Sequence, residues 1–571
     1  MSLRERVSSL ETEYAVSFYP ATGSQSLHHD DLIRTVRDVL TGKLGGPDHH
    51  FLVNGSKMDR DVGQLEWSLP ECRSAHEVVV YNQAADSLLQ QAVASAEQQL
   101  AAKGHVGRLK IFKNNVDFQG QTYGCHENYQ TVRQTELLNQ RQFLLYLIYC
   151  LTPFLVTRQI LTGAGNILPA RLAPQERGTF TLSQRAAFIQ TAVSAETRRQ
   201  RPIINLAREN EALADDRYRR LHLILGDSNL SPWANWIKIG TMGILLRMIE
   251  DQFLSDAPAL LNPVDALHRI SLNPTCVELV ELCNGERLTA IDIQWYYCEQ
   301  ARAYFRQFEA SAEENDVLTA WTDALNDLAE DPILLADRAD WAIKRRICEQ
   351  ALQHYGATWE QLPEFAARLL SYDLRYHDLS NEGHFNRLCQ ALPRIKYARS
   401  TQAEIDLAQR QPPPYTRANM RGYAIALARR KQATVKIDDW CDIQIDRQRH
   451  HSGDPLDFEA PWMMARVPLQ EEYLRTTMQR AETPVRVRTV GYLGWRQDAQ
   501  VPALLLEIIQ HDESPEVRRA AAESLGRRAD PTTFEPLLRL LTQETDAEVQ
   551  WAIQTALTRI IKKRPVLHIG S

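Results

Sequence analysis

The chain has 571 residues, 44% hydrophobic and 24% charged, with 25 Gly and 26 Pro, a composition of folded globular domains that excludes disordered, collagen-like and low-complexity chains. Its 65 Lys and Arg against 72 Asp and Glu leave a net charge of −7 with no long run of one sign, which argues against a nucleic-acid binder driven by phosphate neutralisation. At roughly 100 to 200 residues per domain the length allows about three or four folding units, fewer if one is a large α+β enzyme body.

The nine cysteines are scattered, with no Cys-x-x-Cys pair, which reads as reduced thiols rather than a disulfide framework or a Cys-based zinc site. Met1 to Tyr14 carries five charges and no apolar segment, unlike a secretory signal. The most apolar stretch, between Arg141 and Arg158, contains Tyr146, Tyr149, Thr152 and Pro153 and is too short to span a bilayer. A cytoplasmic location is expected.

From Ser9 to Tyr19 the sequence alternates at period 2. Leu10, Thr12, Tyr14, Val16 and Phe18 share one face of a strand, and Glu11, Glu13, Ala15 and Ser17 the other,. Glu11 and Glu13 then stand about 7 Å apart, a spacing that serves two cations or two positions around one cluster; a lone Glu-x-Glu is otherwise an ordinary solvated face. A short helix is predicted over Asp30–Leu40, then a turn at Gly45–Pro47. The run Lys57–Glu71, in extended form, places Asp59 and Asp61 on one face, and Glu66 with Ser68 after a break at Gly63,. Repeated carboxylates on neighbouring strands repel unless a cation neutralises them.

Ser74 is a candidate cap for a long helix over Ala75–Lys103, with Val78, Tyr81, Ala85, Leu88, Ala92, Ala96 and Leu100 as its core stripe and Gly104 as its stop,. Leu109–Asn115 and Tyr123–Val132 read as strands, the second alternating His126, Asn128 and Gln130 against Cys125, Glu127 and Tyr129. From Gln140 to Leu392 the pattern is mostly helical, with one strand-like run, Arg220–Asp227, that carries His222. Arg198, Arg199 and Arg201 precede it, either as a solvated face or as ligands for polyphosphate. The run Gln411–Pro414 marks a linker or boundary, and a small module follows to about Val467. Thereafter Val485, Val517 and Val549 recur at 32 residues, as do Leu493, Leu525 and Leu557, the signature of HEAT-like helical repeats. Such a short array packs on the body, binds a protein partner, or both.

Acidic strands with two strand histidines, and neither a Walker A motif nor a Rossmann glycine fingerprint, are compatible with a Mg-ATP site on an antiparallel sheet. Phosphoryl transfer there needs mainly positioning and charge neutralisation.

Several motifs in order resemble the Pup ligase and depupylase family over about residues 8–466. They are Leu10-Glu-Thr-Glu-Tyr14, Asn54-Gly55 with Asp61-Val-Gly63, Lys113-Asn-Asn-Val-Asp117, Tyr123-Gly-Cys-His-Glu-Asn-Tyr129, Leu155-Val-Thr-Arg-Gln159 and Ser183-Gln-Arg185. Arg201-Pro-Ile-Ile-Asn205, Arg220 to Asn229, Tyr376-His-Asp378, Thr416-Arg417 and Arg421-Gly422 continue the series. The resemblance implies a glutamine-synthetase-like α+β fold: an antiparallel sheet cradle packed by helices over residues 1–400 and a small C-terminal domain over 401–467, with the HEAT-like repeats at 468–571. It implies an ATP-dependent carboxylate–amine ligase that phosphorylates the γ-carboxylate of the C-terminal glutamate of Pup, a small protein modifier, and joins it to target lysines.

Carried over by motif, Glu11, Glu13, Glu66, His126 and His222 are expected to hold Mg2+, Asp61 to deprotonate the incoming lysine, Arg201, Arg220 and Arg421 to bind ATP phosphates, and Trp440 to stack on adenine. A lysine must lose its proton before attacking, which gives an adjacent carboxylate its task. Cys125, Asp61-Val-Gly63 and Ser228 look ligase-like, and the 39 residues between Tyr14 and Asn54 leave no room for the long loop of depupylases. The alternatives are a depupylase or deamidase, and a non-catalytic scaffold using the repeat tail. Three departures bear on the metal shell: Ala15 stands where the family has Gly, Asp59 where it has a tyrosine, and the segment before Glu66 is one residue short. An added carboxylate at Asp59 can compensate as a ligand. The repeat tail is also absent from the typical ligase.

Overall fold

The alternation between Ser9 and Tyr19 produces strand β1, Ser8–Pro20, in the computed structural model of the chain. The structure describes residues 6–41, 50–61, 63–117, 120–168, 179–196, 199–207, 217–391, 400–414, 416–430, 434–446, 448–456, 474–475, 478–479, 483–494, 496 and 498–563. They fall in two units, Met1–Asp457 and Phe458–Ser571. The expected boundary at 467/468 lies among residues 457–473, outside the described ones.

Leu10, Thr12, Tyr14 and Val16 are buried, so burial of one face sets the register of β1, since a one-residue slip would turn all four to solvent. Its partners are β2 (Lys57–Asp61) and β3 (Gln64–Ser68), β4 (Gly107–Phe112) and β5 (Cys125–Val132). After a two-residue pair, β6 (Asn166–Ile167) and β7 (Phe180–Thr181), come β8 (Thr191–Ser194), β9 (Pro202–Asn205) and β10 (Tyr218–Leu223). The eight-stranded sheet runs β2-β3-β1-β5-β10-β9-β8, with β4 on the second half of β1. Its pairs are antiparallel except β8 with β9. The break expected at Gly63 is the β2–β3 turn, where φ of +88° favours glycine.

Behind the sheet lies the helix Ala75–Ala101, capped as expected by Ser74, whose Oγ accepts from Glu77 N at 3.0 Å. Leu89 rather than Leu88 is its fully buried leucine at that turn. The helical middle includes Gln140–Thr157, the almost wholly buried Pro232–Glu250, Ala312–Glu330 and Asp340–His354. Beyond the one strand expected there, the structure adds β6 to β9 and the hairpin β11 (Leu279–Glu281) with β12 (Arg287–Thr289). Two to four residues per strand are too few for a period to register in sequence,. All nine cysteines are thiols, eight of them buried. Among the described residues no helix is long and apolar enough to cross a membrane.

The small module consists of the helix Ala418–Arg429 and a three-stranded sheet, β13 (Val435–Ile437), β14 (Asp442–Ile445) and β15 (Gln448–His451). It is tied to the segment after β3 through one buried carboxylate. Glu71 accepts from Arg417 Nε at 2.6 Å and Arg421 Nη1 at 3.0 Å, and Arg421 Nη2 closes the fork. Burial alone would push the Glu71 carboxyl up, but Arg421 and Arg417 outweigh it and hold it at about 2,.

In the second unit, helices Thr483–Leu493, Val501–His511, Pro515–Arg528, Phe534–Gln543 and Ala547–Lys563 realise the 32-residue period. Leu493, Val517, Leu525, Val549 and Leu557 are buried. The period also repeats a polar contact: Arg486 pairs with Asp512 and Arg518 grips Glu544 at 2.8 and 3.0 Å. At the third position Gln550 donates to the Glu544 carbonyl at 2.7 Å.

Glu71→Gln leaves two buried guanidiniums short of their counter-charge, and its expected cost is about 3–5 kcal/mol at pH 7. Because the folded carboxyl titrates below the unfolded one, this contribution is complete above pH 4.5 and fades as pH falls toward about 2,. Denaturant titrations of both proteins across that window should converge at the acid end.

Candidate functional site

Strand parity places the polar residues of β1, β3, β5 and β10 on one face of the sheet. Glu11 lies opposite His126, and His222 opposite Asn128. Ligand atoms of Glu11, His126 and His222 converge within 4.8 Å of one another. The two imidazole rings stand 5.0 Å apart, edge to face, with His126 Nδ1 3.3 Å from Glu11 Oε2. Glu11 is buried, which would raise its carboxyl, yet Arg220, His126 and His222 hold it well below the usual carboxylate range,. It is therefore an anion throughout the physiological range.

A second row runs across the strands one step along. Glu13 faces Glu66, and Glu66 faces Asp59. Glu13 Oε2 accepts from Gly124 N at 2.8 Å. A Cβ at Gly124 would collide with His126 Nε2 and come within 2.9 Å of Glu13 Oε1, so glycine preserves the space between the two rows. That space, bordered by carboxylate oxygens and imidazole nitrogens, fits a divalent cation. The oxygens of Glu11, Glu13 and Glu66 are the donors Mg2+ selects, whereas the two imidazoles extend the set toward Mn2+ and other transition ions.

Asp59 departs from the expectation of a compensating ligand. Its oxygens are engaged by Lys57 Nζ at 2.6 Å and His50 Nδ1 at 3.3 Å, so a cation would have to displace a lysine. Asp61 ends β2, its backbone paired with Gln64; its side chain lies outside the described residues.

At the Ser9 end of β1 the cradle continues into a pocket lined by Ser9, Glu11, Glu71, Arg220, Arg417 and Trp440 among others. Arg220 spans both regions: Nη2 donates to Glu11 Oε1 at 2.6 Å and Nε to Asn128 Oδ1 at 2.8 Å. The Trp440 ring is held by the Phe51 edge at 5.2 Å and by Arg421, 4.8 Å from its centroid. Arg421 itself is fully buried, and its Nη groups are spent on Glu71, the Trp440 carbonyl at 3.0 Å and the Gly55 carbonyl at 3.2 Å. It stands behind the tryptophan instead of lining the pocket. Arg201 lies just before β9, also outside that lining. It is within electrostatic reach of the buried Arg185, which bonds Thr122 Oγ1 at 2.7 Å and the Ile224 carbonyl at 2.8 Å.

Structure thus gathers Glu11, His126 and His222 into one cluster, pairs Glu13 with Glu66 in the next row, sets Arg220 and Trp440 in the pocket that adjoins Glu11, and leaves Arg201 and Arg421 behind or beside it. Asn128 is not among the expected site residues, yet it bonds Glu11, Arg220 and His222 at 3.1, 2.8 and 2.8 Å. Its parity with His126 is the available signal in the sequence. Gly124 and Arg417 stand inside the ordered motifs at 123–129 and 416–417, which mark them without giving their roles, and Glu71 carries no pattern of its own.

The sequence profile described as Pup-ligase protein matches residues 6–444, and one described as HEAT repeats matches residues 472–558. A Pup–protein ligase of Acidimicrobium ferrooxidans is 36% identical over 452 residues, covering 78% of this chain and 94% of the relative. One from Micrococcus luteus is 35% identical over 464 residues, covering 79% and 95%. Among solved structures, the complex between the prokaryotic ubiquitin-like protein Pup and its ligase PafA matches with TM-score 0.71 at 29% identity, covering 85% of this chain and 98% of that one. The Pup ligase PafA in complex with ADP matches with TM-score 0.64 at 29% identity, covering 77% and 94%. The chain belongs to the Pup-ligase family.

Glu11→Gln should weaken binding of Mn2+, used as a spectroscopic probe in the presence of ADP, by roughly tenfold or more. Electron paramagnetic titration of free Mn2+ measures it; unchanged affinity would remove Glu11 from the metal shell.

Proposed function

We propose that this protein is an ATP-dependent carboxylate–amine ligase that joins Pup, or a Pup-like small protein, through the γ-carboxylate of its C-terminal glutamate to lysines of target proteins. The observation that carries the reading is the continuity of the carboxylate–imidazole cluster with the Arg220–Trp440 pocket on one sheet face. A nucleotide set against Trp440 directs its phosphates toward Arg220 and the carboxylate rows. The family membership and the ADP-bound relative support ATP as the co-substrate.

In this mechanism Glu11, Glu13 and Glu66, with His126 and His222, hold Mg2+, which when bound neutralises phosphate charge. Trp440 orients the base. Arg220 offers a guanidinium to phosphate oxygens while keeping Glu11 ionised,. Asp61, at the end of β2 next along from Asp59, takes the proton from the lysine Nζ as that nitrogen attacks the γ-glutamyl phosphate. The N–C bond forms, the C–O bond to phosphate breaks, and inorganic phosphate departs with the electron pair. Arg421 acts on the nucleotide through Trp440, by packing its ring. The helical repeats add a proposed protein-binding appendage; target choice unchanged after removal of residues beyond Val467 would eliminate that role.

Incubation with Mg-ATP, a Pup-type modifier ending in Glu and a lysine-bearing target should yield an ATP-dependent adduct lighter than the sum of its parts by one water, read by intact mass. Cleavage of a preformed conjugate without ligation would instead assign the chain to hydrolysis. Asp61→Asn is expected to lose conjugation by roughly a hundredfold or more while nucleotide affinity stays within about twofold. Calorimetric ADP titration beside the conjugation assay separates the two.

A further inference from the structure

The first unit contains a second and much larger cavity, about 690 Å³, at the opposite end of β1 from Trp440. Its volume lies within the range of ordinary ligand sites. It touches the site at three places. Ala15 is two residues beyond Glu13; Gln64 is the backbone partner of Asp61; and Tyr123, within electrostatic reach of Glu13, precedes the Gly124 that bonds it. The nucleotide pocket and this chamber therefore approach the carboxylate rows from opposite ends of one strand.

Their charged linings differ. The nucleotide pocket sets Arg220 and Arg417 against Glu11 and Glu71. The chamber's described lining carries Asp117, Asp373 and His29 and no lysine or arginine; Asp373 is paired with the buried Lys344, Asp117 accepts from Tyr123 Oη at 2.6 Å, and His29 Nε2 lies 2.9 Å from the Gly63 carbonyl. Two further acceptors, Asn114 Oδ1 and Gln64 Oε1, are buried with no hydrogen-bond partner, as is one donor, Asn166 Nδ2. Asn114 and Asn166 are each only 2% exposed, so these atoms forgo water as well as protein partners, a cost a ligand can relieve. Apolar walls from Val16, Phe112 and Leu370 complete the space.

Resting on the ligase reading above, we infer that this chamber receives the target lysine: the aliphatic stem along its apolar wall, the ammonium at Asn114, Gln64 and Asp117, and a backbone carbonyl of the target at Asn166. A C-terminal glutamate, bearing two carboxylates, is the wrong charge for such a lining. Delivery past Gln64 brings the lysine Nζ to the end of β2 that carries Asp61.

Two nucleophiles separate this inference from the ligase reading. Hydroxylamine needs no chamber: its nitrogen displaces inorganic phosphate from the γ-glutamyl phosphate to leave a hydroxamate. Ser17→Trp, which fills the chamber, should lower conjugation to a lysine-bearing protein by roughly tenfold or more while hydroxamate formation stays within about twofold. Asp117→Asn, close to isosteric, should raise KM for the lysine target about tenfold with little change in kcat or in hydroxamate yield. Should Ser17→Trp fail to fold by circular dichroism, Asp117→Asn decides alone. Equal loss with both nucleophiles, or unchanged conjugation in folded variants, overturns the inference. A wild-type protein forming neither product defeats the ligase reading itself.

Discussion

Strand β1 is held between two incompatible demands. Leu10, Thr12, Tyr14 and Val16 must stay in the core, and the residues between them include Glu11 and Glu13, which no core accepts without compensation,. The first demand sets the register: once Tyr14 is anchored by its hydroxyl on Asp86 at 2.8 Å, Glu11 has to face His126 and Glu13 has to face Glu66. Cross-strand pairing then concentrates negative charge along one sheet face, and everything surrounding that face answers it: Arg220, Lys57, two histidines and the backbone amide of Gly124.

The buried side of β5 shows the same logic with a different outcome. Glu127 is wholly buried, where desolvation would neutralise it, yet Arg158 and Lys238 keep it ionised. Arg158 grips both of its oxygens and Tyr129 donates at 2.6 Å. Such a carboxylate is satisfied and locks the strand to the helical layer. Glu11, one strand away, shares its anchors with Asn128 and leaves imidazole nitrogens near at hand. The two carboxylates thus differ in whether their surroundings complete a closed set or leave further ligand atoms within reach.

The small module joins the cradle through Glu71, where one carboxylate engages two arginines, Arg421 in the helix that precedes β13 and Arg417 at its N-cap. Arg421 then positions both Phe51 and Trp440. Seating the tryptophan on a buried ion pair gives the pocket beside it a rigid wall, and it couples the geometry of that wall to the integrity of the Glu71 clamp.

Period and local chemistry determine several elements by themselves: the alternation of β1, the Ser74 cap, the 32-residue helical repeat, and the acidic strands whose repulsion calls for cations. The ordered motifs carry the family. These are properties of neighbouring residues, and chain order preserves them. Which arginine meets the Trp440 pocket is decided only by tertiary structure, because Arg201, Arg220 and Arg421 are alike in sequence and differ only in what folds against them. Glu71 buries one of them, β9 places another beside Arg185, and β10 leaves the third on the cradle face. Asp59 changes meaning for the same reason, since the lysine that engages it is two residues away but the histidine arrives from a separate segment. The short strands β6 to β9 and the acidic chamber beyond β1 depend wholly on long-range contact, so no period or motif announces them.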